Sequence, residues 1–244
     1  MLLLQACADS AHVRVVERPQ PPTERINSHW VSPGETLYAI AWRYNMDPAT
    51  LARANGLRAP YRIQAGKKLS LDLSRANRYR STASVTTSVN SKTSKAASTS
   101  KTASSNRTSQ SATAKQIYKT VGAWRWPAKG SVSKKYKGGG SAIHKGLDII
   151  GRQGQSVYAA NHGVVVYAGS GLPAYGKLLI VKHNEVYLSA YAHNSKLTVS
   201  EGDKVKVGQK IAEIGKSGTT HEHLHFEIRK KGIPVDPLKV LPRA

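Results

Sequence analysis

The sequence predicts a mainly β protein in two unequal parts. A small α+β module of βααβ order lies near the N-terminus, and a larger domain of antiparallel sheets forms the C-terminal half, with a disordered linker between them. Three observations carry this. Residues 29–73 run strand, helix, helix, strand by hydrophobic period and turn chemistry. Residues 74–116 lose that periodicity and become a basic, Ser/Thr-rich tract. From Ile117 onward, short alternating runs recur between Gly-containing turns. The aromatic balance of the 244-residue chain, one Phe against eleven Tyr and four Trp, also fits small β-rich modules better than a large helical core. The predicted division is 1–28 (signal remnant and tether), 29–73, 74–116 and 117–244.

Composition removes several classes. A hydrophobic fraction of 39% is enough to bury a core, so the chain is not wholly disordered. A single Cys excludes a disulfide framework and a Cys-based zinc finger. No apolar stretch approaches the length of a spanning helix. The net charge of +23, from 37 basic and 14 acidic side chains, calls for a polyanionic partner: nucleic acid, anionic lipid, or a carboxylate-rich cell wall.

The first element is Met1-Leu2-Leu3-Leu4-Gln5-Ala6-Cys7. A short apolar run ending in a small residue before Cys is how a bacterial lipoprotein signal ends, which makes Cys7 the lipidation site and the membrane a partner through that anchor. The run lacks a charged n-region and is shorter than a full signal, so an upstream start is taken to be missing. Ala8 after Cys7 favours the outer membrane. Pro19, Pro21 and Pro22 then make residues 12–28 an extended tether.

In the first module a β-type run precedes the Ser32-Pro33-Gly34 turn. Glu35 and Thr36 lead into Leu37, Ile40, Ala41 and Tyr44 at helical spacing. Asp47 caps a second helix that starts at Pro48. Leu51 and Ala54 face inward, and Asn55-Gly56 ends the helix. A closing strand follows over 63–71. These residues resemble a LysM module, through Trp30-Val31, Gly34-Glu35-Thr36-Leu37, Ile40-Ala41, Tyr44, Leu51, Asn55-Gly56-Leu57, Ile63 and Gly66-Lys67-Lys68-Leu69. The resemblance implies binding to N-acetylglucosamine-containing glycan, usually peptidoglycan. It places the groove between Gly34, Glu35, Thr36 and Leu37 on one side and the loop from Leu57 to Ile63 on the other. Leu37 and Ile40 also read as plain core positions.

The linker segment from Ser74 to Ala114 holds 12 Ser, 8 Thr, 7 Ala and 7 basic residues in 41, with no acid. It has too little apolar area to offset the entropy of ordering. Its charge would let it lie along an anionic wall. In the last domain, strands are predicted over 163–167, 178–182, 187–192, 206–214 and 223–229.

Seven of the nine His lie in that domain. Side chains two apart on a strand share a face, so His223 and His225 can converge on one point. His144 and Asp148 can close around it from a loop-to-strand segment. Two imidazoles and a carboxylate suit Zn²⁺, whose catalytic sites keep a position for water. A neutral His nearby can move a proton. His162 and His183 read as surface or structural, and His221 as a loop residue near the site.

Residues 124–241 resemble a LytM/lysostaphin-type zinc metallopeptidase domain. His144 and Asp148 match its His-x-x-x-Asp motif, His223 and His225 its His-x-His, and His193 its middle His after an aromatic-small pair. The resemblance implies that His144, Asp148 and His225 bind zinc and that His193 and His223 act on the water and the oxyanion. It also implies a peptide bond of the peptidoglycan cross-link as substrate. The whole layout resembles the NlpD-type outer-membrane lipoproteins, facing the periplasm of a Gram-negative envelope. Many of these have lost zinc ligands and activate cell-wall amidases. Because all five site positions carry the needed residues, the sequence is read as a zinc metalloendopeptidase of wall remodelling or daughter-cell separation. The alternative is a non-catalytic activator with an amidase partner. A nucleic-acid partner is not expected, since there is no recognition helix or aromatic RNA-binding motif.

Overall fold

The computed structural model describes residues 26–77, 122–139 and 143–243. Cys7, most of the tether and nearly all of the predicted linker lie outside the described residues.

The first module is built from β1 (Ser28–Trp30), α1 (Leu37–Arg43), α2 (Pro48–Ala54) and β2 (Lys68–Ser70), followed by a 3₁₀ turn over Leu73–Asn77. β1 and β2 pair antiparallel, with His29 opposite Leu69. Thr36 caps α1, its side chain accepting from the Ala39 amide, and Asp47 caps α2 by accepting from the Thr50 amide, with Pro48 in the first turn. These caps satisfy donors that a helix start leaves open. Val31, Leu37, Ile40, Ala41, Leu51, Ala52, Leu69 and Leu71 form the module's own core. The closing strand is shorter than predicted. The Lys67 amide turns back onto the Gln64 carbonyl at 3.2 Å, and Gly66 takes φ +77°, so only the last residues of 63–71 are free to pair.

The second domain contains β3 (Val132–Lys134), β4 (Leu147–Ile150), β5 (Ser156–Tyr158), β6 (Gly163–Gly169), β7 (Lys177–Lys182), β8 (Tyr187–Leu197), β9 (Lys204–Val205), β10 (Lys210–Ile214), β11 (His223–Lys230) and β12 (Ile233–Val235). They form one antiparallel sheet in the order β3-β4-β11-β8-β7-β6-β9; β10 joins β5 to β8, and β12 lies on β11. The run predicted as one strand over 206–214 is broken. Lys206 to Gln209 form a turn closed at 3.0 Å, and only the part from Lys210 is strand. One face of the sheet packs Leu147, Ile149, Val165, Leu179, Val181, Tyr191, Leu224, Phe226 and Ile228 into the main core.

The opposite face is also covered, by the first module. Leu178, Ile180, Leu188, Ala190 and Ala192 form a second cluster with Tyr167, Leu172 and, from α1, Ala39 and Trp42. So α1 is buried on two sides: Leu37, Ile40 and Ala41 face their own module, while Ala39 and Trp42 face the sheet. Polar contacts ring the patch. The Thr36 hydroxyl donates to the Val166 carbonyl at 3.3 Å, and Arg43 donates to the Gly171 carbonyl at 3.3 Å. This contact is not expected of two modules joined by a disordered linker. The unbroken apolar run Leu178-Leu179-Ile180-Val181, buried on both faces, is the local sign that this sheet is covered twice.

Candidate metal centre

β4 and β11 bring the first group together. Leu147 and Ile149 of β4 point into the core, which leaves Asp148 on the other face. In the β4–β11 register Asp148 lies directly opposite His225. On β11, Leu224, Phe226 and Ile228 are core residues, so His223 and His225 share the Asp148 face. His144 enters four residues before Asp148, held by a bridge between His144 and Lys137. Ligand-type atoms of His144, Asp148 and His225 all lie within 4.8 Å of one another. Asp148 Oδ1 is 3.1 Å from His144 Nε2, 2.7 Å from His225 Nδ1 and 3.8 Å from His223 Nε2.

His193 arrives by a different route. Strict alternation along β8 would put it on the core face with Tyr191. The β7–β8 register slips between Lys177 and Leu179, and His193 takes φ +62°, an unusual conformation for a side-chain-bearing residue. The slip turns its ring to the site, with centroids 4.7 Å from His223 and 6.0 Å from His225.

Each of the four imidazoles is hooked at one nitrogen. His144 Nδ1 reaches the Lys135 carbonyl at 2.9 Å, His193 Nδ1 the Ser217 carbonyl at 2.8 Å and His223 Nδ1 the His221 carbonyl at 3.1 Å. A carbonyl only accepts, so each of these nitrogens carries a proton; Nε2 of His144 is thereby turned to Asp148 Oδ1 at 3.1 Å, and Nε2 of His193 and His223 to the cavity. His225 is the reverse: Nε2 lies 3.2 Å from Glu227 Oε1 and Nδ1 faces Asp148. Two nitrogens, each on a ring held at its other nitrogen by Lys135 or Glu227, and a carboxylate oxygen are a donor set that fits a zinc ion.

The electrostatics follow from these neighbours. Burial works against charge on both Asp148 and His225, but their hydrogen bond and the surrounding charges outweigh it. Asp148 is held down at about 2 and His225 is pushed up to about 9. Burial pushes His193 and His223 down, so both are neutral near pH 7. The cluster lines a cavity of about 580 Å³ whose wall includes Trp42 and Arg43 of α1.

The other sequence-predicted residues divide. His221 is exposed at the cavity rim and stacked 4.6 Å from His223. His183 is buried at the far end of β7, its Nδ1 on the His162 carbonyl at 2.7 Å; it is structural and not a surface residue. The six predicted glycan contacts do not share one groove. Glu35, Thr36, Leu37 and Ile63 line a cavity of about 660 Å³ that strand β6 closes on its other side. Gly34 instead lines a neighbouring cleft of about 230 Å³, and Leu57 lines neither, packing on the module core. The Leu37 side chain is 1% exposed, so it supports the loop from below. The Glu35 carboxylate is occupied by His29, the Ser32 amide and Arg43.

Two residues beside the centre carry no motif of their own: Glu227, which holds His225, and Arg229, which holds Glu227 at 2.9 Å. The signal was the same period of two that joined His223 to His225, continued for two more steps.

Comparison with known proteins places these features. The pattern of Peptidase family M23 matches residues 142–237 and that of the LysM domain matches residues 29–72. The chain is similar to a lipoprotein NlpD/LppB homolog of Pseudomonas aeruginosa, 44% identical over 265 residues, which are 99% of this chain and 89% of that one. An uncharacterized lipoprotein of Escherichia coli, YgeR, is 40% identical over 216 residues, 87% of this chain and 80% of the relative. The murein hydrolase activator NlpD of Escherichia coli is 35% identical over 259 residues, 89% of this chain and 68% of the relative.

Proposed function

This chain belongs to the NlpD/LppB family of lipoproteins, and from that premise we propose that it is a peptidoglycan-bound activator of murein hydrolases in the cell envelope. The observation that carries the reading is the match, across both modules, to relatives named murein hydrolase activators. The LysM module would hold the protein on peptidoglycan. A lipid on Cys7 would anchor it to the outer membrane, where relatives named outer membrane antigenic lipoprotein B also point. The hydrolase partner would be a cell-wall amidase. This reverses the order of the two readings drawn from the residues, which put the enzyme first.

A second reading, a zinc metalloendopeptidase, is favoured by one specific observation: the five site side chains are present and converge, and the four imidazoles are oriented by partners outside the site. In it, His144, Asp148 and His225 hold the metal. Zinc, when bound, supplies a Lewis acid that acidifies water and polarises a peptide carbonyl. His223, neutral because burial disfavours its charge, takes a proton through Nε2 and returns it to the leaving amine. His193 presents its free Nε2 beside His223 and, when protonated, donates to a developing oxyanion.

One experiment separates them. The zinc-loaded protein and the chelator-treated protein are each incubated with intact peptidoglycan, alone and with an amidase. Stimulated amidase activity without muropeptide release by the protein alone supports the activator. Release of cleaved cross-links that disappears with the chelator supports the peptidase. Neither effect would overturn both readings.

A further inference from the structure

The face of β11 that carries His223 and His225 runs on through Glu227 to Arg229, both 0% exposed. A charged pair is rarely buried to that degree, and it is buried here because α1 of the other module lies over it. The Arg229 guanidinium stacks on the Trp42 ring at 3.5 Å. Its Nη1 donates to the Trp42 carbonyl at 2.7 Å and to Asn45 Oδ1 at 3.2 Å. Its Nη2 donates to the Tyr175 hydroxyl at 3.2 Å, and its Nε to Glu227 Oε2 at 2.9 Å. Glu227 Oε1 in turn accepts from the Tyr175 hydroxyl at 2.7 Å and faces His225 Nε2 at 3.2 Å. An unbroken chain of contacts thus runs from the LysM module to the ring of His225.

We propose that the docked LysM module is the outermost support of the metal centre, with Trp42 and Asn45 as positioning residues that act through Arg229 and Glu227 on His225. With α1 in place, water is kept from the pair, and Glu227 holds the Nε2 proton of His225 in a low-dielectric setting where that bond is strong. His225 is then fixed with Nδ1 turned to the metal. With α1 removed, Arg229 loses its stack and two acceptors, water solvates Glu227, and the hold on the imidazole weakens. The coupling is reciprocal by thermodynamic necessity: metal at the centre strengthens docking of the LysM module. Attachment to the wall and the state of the centre are therefore linked through the interface. This rests on the reading of His144, Asp148 and His225 as a metal site.

The test measures zinc affinity of the full chain by competition with a chromophoric chelator. Trp42→Ala removes the stack from the docking face while leaving the module's own core untouched. It is expected to weaken zinc binding about tenfold or more, the scale of outer-partner losses. Trp42→Phe, which retains a ring over the guanidinium, should recover most of that loss. Gly232→Asn attacks the interface from another side. Gly232 has φ +80°, which Asn tolerates, but any Cβ there would overlap the Met46 carbonyl, so the modules must part. It too should weaken zinc binding about tenfold. Zinc should also slow amide exchange of α1 in the wild type and have no such effect in Trp42→Ala. Wild-type zinc affinity in Trp42→Ala, or in Gly232→Asn with α1 open to exchange, overturns this inference and leaves the metal reading standing. A wild type that binds no zinc overturns both.

Discussion

His183 should give the protein an acid-labile stability that has nothing to do with the metal. The ring is 1% exposed, packs edge-on against Trp124 at 4.8 Å, and sits 2.7 Å from both the His162 carbonyl and the Ser189 hydroxyl. Burial pushes its pKa from 6.5 down to about 4. In the unfolded chain it regains the ordinary value, so the unfolded state binds the proton at higher pH than the native state does. The neutral ring's contribution is complete above about pH 6.5 and is lost as pH falls toward 4. A gap of roughly 2.5 pH units at 1.36 kcal/mol each amounts to about 3 kcal/mol. His183→Gln removes that dependence and substitutes a constant cost of about 1–3 kcal/mol for the altered hydrogen bonds. The stability of the wild type relative to the variant should therefore fall by about 2–3 kcal/mol between pH 7 and pH 4.5, enough to cancel or reverse its advantage. Urea unfolding followed by Trp fluorescence at half-unit pH steps measures it. Parallel stability curves for the two proteins over that range would refute the buried-neutral argument.

Replacing the proposed ligand and the proposed base should give different results: His225→Ala should lose zinc, whereas His223→Ala should keep it. If the peptidase reading holds, the second variant's turnover falls about 10²–10⁴-fold; metal analysis beside muropeptide release checks both. Zinc loading should release about one proton near pH 7, because His225 without metal is held up at about 9 by Asp148 and Glu227 and must shed its Nδ1 proton to bind. Apparent affinity should then rise about tenfold per pH unit from 7 to 9; calorimetry in two buffers of different ionisation enthalpy reads the proton, and zero release refutes the geometry. Gly176→Ala should displace His193 without removing metal. Gly176 has φ +59° and its Cβ would overlap the Ser217 carbonyl that holds His193. A lower melting temperature, equivalent to about 1–3 kcal/mol, with unchanged zinc content is the expected result.

Much of this was legible along the chain because its causes are local. Thr36, Asp47 and Pro48 announce helix starts by chemistry that acts within four residues. His223 and His225 announce a shared strand face by a period of two. Glu227 and Arg229 continue that period, yet a Glu and an Arg on a strand read as a solvated edge unless something is known to cover them.

Sequence alone determined the two modules, their element types, and the set of histidines and the aspartate that could gather. Three things were decided only by tertiary structure. His193 reaches the site through a register slip against β7, and pairing register depends on the neighbouring strand as much as on the residue's own. The six predicted glycan positions divide among a cavity, a neighbouring cleft and the edge of the module core, because where each loop lies depends on packing against strand β6 of the other domain. The docking of Trp42 on Arg229 joins residues 187 apart in the chain. Such a contact depends on the matching of two finished surfaces, one helix face and one sheet face, and neither surface exists until its own module has folded.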